Sequence, residues 1–153
     1  MRIIVDSNII FSAILKTESK IGQLLTNSKN YFEFYTINYS RTEIENHKHK
    51  IVKLTGYSDL EYQKVTELIS SKIRYINEAI LPKEICIKAT QIVSDFDIDD
   101  AYFVAISLFL NAKLWTGDKV LINNLFAKGY RNTITTNNLY HKFLLKEQRA
   151  KRF

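Results

Sequence analysis

Proline and glycine are scarce in this chain, one and four in 153 residues. Flexible linkers and low-complexity spacers draw on those residues, so residues 1–153 are expected to fold as a single domain. Cysteine is scarcer still. Cys86 alone cannot form an intramolecular disulfide, which makes a reducing cytoplasm the expected compartment. Within Ile85-Cys86-Ile87 it reads as a small apolar packing residue. No apolar run approaches the roughly 20 residues of a membrane span. The opening residues are too polar and too strand-like for a secretory signal, so no membrane partner is expected. A glycine-rich phosphate loop, of either the P-loop or the dinucleotide type, is missing, which removes those nucleotide-binding classes.

What is present suits a packed domain with a polyanionic partner. Hydrophobic residues make up 46% of the chain, enough for a proper core. The net charge is +6 and the pI about 9.3. Such an excess favours phosphate-rich partners, because neutralising phosphates releases condensed counterions. The basic residues gather late: Lys142, Lys146, Arg149, Lys151 and Arg152 are opposed only by Glu147. A solvated tail that aids solubility explains that run equally well.

Strand-like and helix-like runs alternate. Arg2 to Val5, Tyr31 to Thr36, Lys72 to Asn77, Lys113 to Thr116 and Arg131 to Thr135 read as strands. Ile9 to Lys16, Ile21 to Asn27, Asp59 to Ser71, Lys83 to Ser94 behind Pro82, Asp97 to Asn111, Val120 to Lys128 and the segment from Asn137 read as helices. Ser40 and Glu43 have the spacing of a capping box, for a helix running through His47 to about Leu54. This alternation implies an α/β fold with parallel strands and crossover helices on both faces.

The acids carry the chemical information. In open parallel sheets, sites form outside the carboxyl ends of the strands. Asp6 follows the first strand, in Val5-Asp6-Ser7-Asn8, and Asp118 follows the fourth, in Trp115-Thr116-Gly117-Asp118-Lys119. Asp97, Asp99 and Asp100 open the helix leading into that strand. Glu43 lies in the first turn of the helix after the second strand. Each has an ordinary explanation as a helix cap or a charge on a helix dipole. Together they place carboxylates from four segments at one sheet edge.

Clustered carboxylates raise one another's pKa and resist ionising together. A divalent cation resolves the conflict. Oxygen donors without Cys or nearby His suit Mg²⁺ or Mn²⁺ rather than Zn²⁺. An acidic metal site in a basic protein points to phosphoester chemistry, with the metal neutralising phosphate and lowering the pKa of an attacking water. His47 and His49, two apart on one helix, would point about 200° from each other and could not share an ion. His141 has no evident Ser or Cys partner for a triad.

The stretches IIVDSNIIFSAIL, SRTEIENHKHKI and DIDDAYFVAISLFLNAKLWTGDKVL resemble, in order and over most of the chain, the PIN-domain nucleases, particularly small bacterial proteins grouped with VapC-type toxins. The resemblance implies a three-layer α/β/α fold with a central, mostly parallel sheet of four to five strands. It implies metal-dependent endonuclease cleavage of single-stranded RNA, with water attacking the phosphodiester to leave a 5′-phosphate and a 3′-hydroxyl. Carried over by position, its four acids fall on Asp6, Glu43, Asp100 and Asp118. Asp6 and Asp100 would be the principal Mg²⁺ or Mn²⁺ ligands. Asp118 would hold a second metal or a hydrated shell, and Glu43 would position the attacking water. Ser7, Asn8 and Thr116 would hydrogen-bond the carboxylates or the phosphate. Asp97, at i−3 from Asp100, is the candidate auxiliary outer ligand, whereas Asp99 is expected to point elsewhere. Many relatives carry a further acid where this chain has Val120, so fewer side chains are left for a second metal.

Lys119 and the terminal Lys142, Lys146 and Arg149 are the candidate RNA contacts. An antitoxin, if one exists, would cover the acidic edge and insert a basic side chain there; a homodimer is the other protein assembly considered. Two further readings stand beside the nuclease: a PIN-like module that binds RNA or protein without cutting, and a phosphatase or receiver-like domain. The last lacks its expected second acid within two residues of Asp6.

Overall fold

The computed structural model describes residues 1–94 and 98–153. In chain order the elements are β1 (Arg2–Val5), α1 (Ser7–Leu15), α2 (Lys20–Asn27), β2 (Glu33–Ile37), α3 (Tyr39–Asn46), α4 (Lys48–Thr55), α5 (Asp59–Ser70), β3 (Arg74–Ile76), α6 (Lys83–Val93), α7 (Ala101–Leu110), β4 (Lys113–Trp115), α8 (Lys119–Ala127), β5 (Thr133–Ile134) and α9 (Thr136–Lys151). The five strands pair in the order β3-β2-β1-β4-β5, all parallel.

β1 is the central strand and is apolar on both faces, as a strand covered on both sides must be. Ile3 and Val5 enter one core with Phe34, Trp115 and Ile134 from the neighbouring strands and with residues of α1, α2, α3, α4, α5 and α9. Ile4 points the other way, with Tyr35, Ile37 and Leu114, into a core closed by α6, α7 and α8. The alternation of side chains along a strand therefore produces three layers, α/β/α. Trp115 is fully buried, and its indole N–H donates to Thr136 Oγ1 at 3.0 Å, so burying the ring leaves no donor unsatisfied. Cys86 is half-buried against the second core.

Strand order decides where a site can form. The chain winds from β1 to β2 and β3 on one side, then crosses back to β4 and β5 on the other. β1 and β4 therefore flank the switch point, where the connections leave in opposite directions and a crevice opens outside the carboxyl ends. The register Val5↔Trp115 brings Asp6 and Thr116, the next residue of each segment, side by side; the Asp6 N–H continues the ladder by donating to the Trp115 carbonyl at 3.2 Å.

Several boundaries differ from the sequence reading. Asn38, not Ser40, precedes the helix after β2, and it makes no side-chain capping bond. Ser40 lies inside α3 and is buried, so the Ser40–Glu43 capping box does not form and Glu43 is released for other contacts. The helix expected to continue to Leu54 breaks at His47 into α3 and α4. The long helix before β4 is confined to Ala101–Leu110, preceded by a 3-10 turn at Ile98–Asp100; Asp97 lies outside the described residues. The α1–α2 connection explains one glycine: a Cβ on Gly22 would stand 2.0 Å from the Thr17 carbonyl oxygen.

Candidate active site

Asp6 terminates β1 and begins α1. Its φ and ψ are extended, and its carboxylate accepts the Asn8 backbone N–H at 3.3 Å as the N-cap of α1. The cap reading of Asp6 is therefore correct, and it leaves a second carboxylate oxygen for other partners. That oxygen accepts the Thr116 hydroxyl at 2.7 Å. Thr116 is fully buried, one residue beyond β4, and its Oγ1 also accepts the Asp118 backbone N–H at 3.1 Å. A single hydroxyl thus ties the ends of β1 and β4 together. Asp118 caps α8 in turn, accepting the Leu121 N–H at 3.0 Å. Both acids sit at helix N-termini, where the helix dipole favours negative charge.

Glu43 reaches the same edge from α3. Its Oε1 accepts the Ser7 hydroxyl at 3.2 Å, so the two residues that follow β1 serve different acids: Asp6 is itself an acid, and Ser7 holds Glu43. Asn8 acts here through its backbone; the residue is exposed. Asp100 is half-buried immediately before α7, a helix that packs on β1 and β2. Asp99 is exposed, yet its charge acts on Glu43, which the sequence reading did not expect.

Burial pushes the Asp6 carboxyl above the usual carboxylate range, and the Asp118 charge pushes the same way against the hydrogen bonds from Thr116 and Asn8. Glu43 is likewise raised, by burial first and then by the charges of Asp6 and Asp99, while the Ser7 hydroxyl and His47 act to lower it. No lysine or arginine among the described residues pairs with Asp6, Glu43 or Asp118. Asp6 and Glu43 therefore stand as mutually repelling oxygen donors, with no lysine or arginine ion pair to either among the described residues. Among the described residues no three Asp, Glu, His or Cys side chains close around one point.

The profile of the PIN domain family matches residues 4–139. The chain belongs to the PIN-domain family. This match runs from β1 into α9 and includes Asp6, Glu43, Asp100 and Asp118. Solved structures agree on the fold. PAE2754 from Pyrobaculum aerophilum superposes with a TM-score of 0.66 at 14% identity, covering 95% of this chain and 90% of that one. VapBC2 from Rickettsia felis, solved bound to a DNA fragment from its promoter, also gives 0.66 at 14% identity, covering 88% and 97%. A PilT N-terminus domain protein, SSO1118 from Sulfolobus solfataricus, gives 0.50 at 14%, covering 94% of each chain. No protein of curated function matches.

In this PIN domain the basic residues singled out from the sequence do not form one surface. Lys119 is exposed in the first turn of α8, next to Asp118. α9 starts near the Trp115 indole and runs away from the acids, so Lys146 lies about 15 Å further along the helix. There its Nζ is 6.0 Å from the Tyr31 ring centroid, just before β2, and Glu147 accepts the Tyr31 hydroxyl at 2.8 Å. Lys142, Lys146 and Arg149 are exposed towards the amino ends of the strands. His47 edges onto Phe11, with ring centroids 5.8 Å apart, and His49 is exposed on α4.

Sequence reasoning passed over Thr36 and Ser40. Thr36 occupies an apolar strand and Ser40 resembles a cap, but both hydroxyls are buried beside Ser7. Neither could have been recognised from spacing, because their meeting depends on how α3 packs against the ends of β1 and β2.

Proposed function

We propose that this PIN domain is a Mg²⁺- or Mn²⁺-dependent endoribonuclease acting on single-stranded RNA. The family is one of nucleases. The observation that carries the reading is Asp6: a carboxylate 5% exposed, raised by burial and by Asp118, with no basic partner among the described residues. An ionised carboxylate in such a place is costly unless it is paired or bound to a cation. Asp6 and Asp100 would be the principal ligands and Asp118 would act through a hydrated shell; Asp97, the outer contributor expected from the sequence, lies outside the described residues. When bound, the ion would neutralise phosphate charge and lower the pKa of water.

The chain's own side chains would do the rest. Glu43 would orient the attacking water and accept its proton; the water oxygen bonds to phosphorus as the P–O3′ bond breaks, and the departing 3′-oxygen takes a proton from solvent to leave as a hydroxyl. Its raised pKa brings a carboxylate base closer to working pH, which strengthens general base catalysis. Ser7 holds Glu43 and Thr116 holds Asp6. Lys119, exposed beside Asp118, would meet a phosphate next to the acids, while Lys142, Lys146 and Arg149 would contact only RNA long enough to wrap to the far edge. Thr116→Val removes the hydroxyl between Asp6 and Asp118. It should lower cleavage about 10–100-fold, the usual effect of losing an outer partner of a metal ligand, in single-turnover assays.

The decisive experiment incubates the purified chain with end-labelled single-stranded RNA and Mn²⁺, then with EDTA. Products carrying 5′-phosphates, lost with EDTA and restored by excess Mn²⁺, are the expected result. RNA bound without metal-dependent products would instead establish a non-cleaving binding module. Similarity to VapBC2 leads us to place the chain further as the toxin of a toxin–antitoxin pair, whose antitoxin supplies a basic side chain to the acidic edge. Co-purification with the product of a small adjacent reading frame, and loss of cleavage on its addition, would test this.

A further inference from the structure

Three hydroxyls lie in line between the β1 backbone and Glu43. Thr36 Oγ1 donates to the Val5 carbonyl at 2.8 Å; Ser40 Oγ lies 3.0 Å from Thr36 Oγ1 and 2.9 Å from Ser7 Oγ; Ser7 donates to Glu43 at 3.2 Å. Thr36 is 0% exposed, Ser40 1% and Ser7 4%. Each hydroxyl has one proton. Thr36 spends its proton on Val5 and Ser7 its own on Glu43, so Ser40 has the one remaining proton and two acceptors to serve. A Ser40 donating to Ser7 occupies a Ser7 lone pair and leaves the Ser7 proton directed at Glu43. Apolar side chains would fill this space without any need for partners, and buried hydroxyls without partners are unfavourable. Ser40 does no capping, so helix formation does not explain it.

We propose that Ser40 is a positioning residue that fixes the Ser7 hydroxyl on Glu43, so that a buried pair of hydroxyls sets the orientation of that carboxylate. The inference rests on the reading of Glu43 as the residue that handles the attacking water. Because Ser7 follows Asp6 directly, the same pair ties the Glu43 carboxylate to the backbone that carries Asp6.

The test measures Mn²⁺-dependent RNA cleavage under single-turnover conditions for wild type, Ser40→Ala, Ser7→Ala and Glu43→Gln. Ser40→Ala should lower the cleavage rate constant about 10–100-fold, as losses of outer partners do, with half-saturating RNA concentration unchanged. Combined with Ser7→Ala or with Glu43→Gln it should cause no further loss, because residues acting through one group are not additive. Ser40→Cys, which keeps the side-chain shape with only a weak donor, should show the same rate-only loss and the same silence with Glu43→Gln; it decides the matter should Ser40→Ala unfold. Wild-type rates in both variants, or equal losses with and without Glu43→Gln, overturn the positioning role while leaving the nuclease reading standing. No cleavage by wild type overturns that reading, and this inference with it.

Discussion

Asp6→Asn is expected to reduce RNA cleavage about 10³-fold while raising the melting temperature of the metal-free protein. The two effects share one cause. Asp6 is buried between Thr116 and the start of α1, and Asp118 repels it. An amide keeps the shape: its oxygen can accept the Asn8 N–H and its nitrogen can donate to Thr116 Oγ1. What disappears is the charge. A bound ion supplies several kcal/mol of transition-state stabilisation, and losing about 4 kcal/mol of it corresponds to about 10³-fold.

Stability should move the other way, and its pH dependence follows from the direction of the shift. The folded-state pKa of Asp6 lies above its ordinary value of 3.8. The folded protein therefore binds this proton more tightly than the unfolded chain. Wild-type stability falls as pH rises from the unfolded pKa through the folded one. At low pH both states are protonated and the variant has no advantage. At neutral pH the variant melts higher, at roughly 2–4 °C per kcal/mol for a chain of this size. Thermal melts of both proteins from pH 4 to 8 without metal read this directly. A variant that melts lower than wild type at neutral pH would mean the charge is already compensated, contradicting the need for a cation.

The second large effect is metal-linked stability. Mn²⁺ at a hundredfold its dissociation constant should stabilise the wild type by about 2.7 kcal/mol, a rise of about 5–10 °C at the same conversion. In Asp6→Asn the rise should shrink towards zero. It should also fade in the wild type as acidification protonates the raised carboxyl of Asp6, since metal and proton compete for the same oxygens. Equal responses of wild type and variant to Mn²⁺ would place the ion elsewhere. This measurement needs no RNA and separates metal binding from catalysis.

Much of the arrangement could be read from the chain because it is local. Apolar runs on both faces of β1 announce a central strand, and an acid directly after such a strand lies at the carboxyl edge whatever the helices do. The acids at Asp6 and Asp118 were legible for that reason. The capping pattern at Ser40 was misleading because its two residues fit a local rule that tertiary packing overrode: Ser40 turned inward to Thr36 and Ser7, and Glu43 turned to Ser7. The basic run in α9 shows a different limit. Helical spacing shows that Lys142, Lys146 and Arg149 share a side of α9, but only the packing of α9 shows that Lys146 stands over Tyr31, before β2.

By itself, the sequence determined the α/β alternation, the family, and which carboxylates end strands or begin helices, because these follow from short-range periodicity and from residue types at element junctions. The tertiary structure alone decided that β1 and β4 would be neighbours at the switch point, that Thr116 would join Asp6 to Asp118, and that Ser7 would meet the Ser40 hydroxyl, 33 residues away, behind Glu43. Those facts depend on strand order and on the docking of α3. Both are set by how two apolar cores close over one sheet, and no window of residues encodes them.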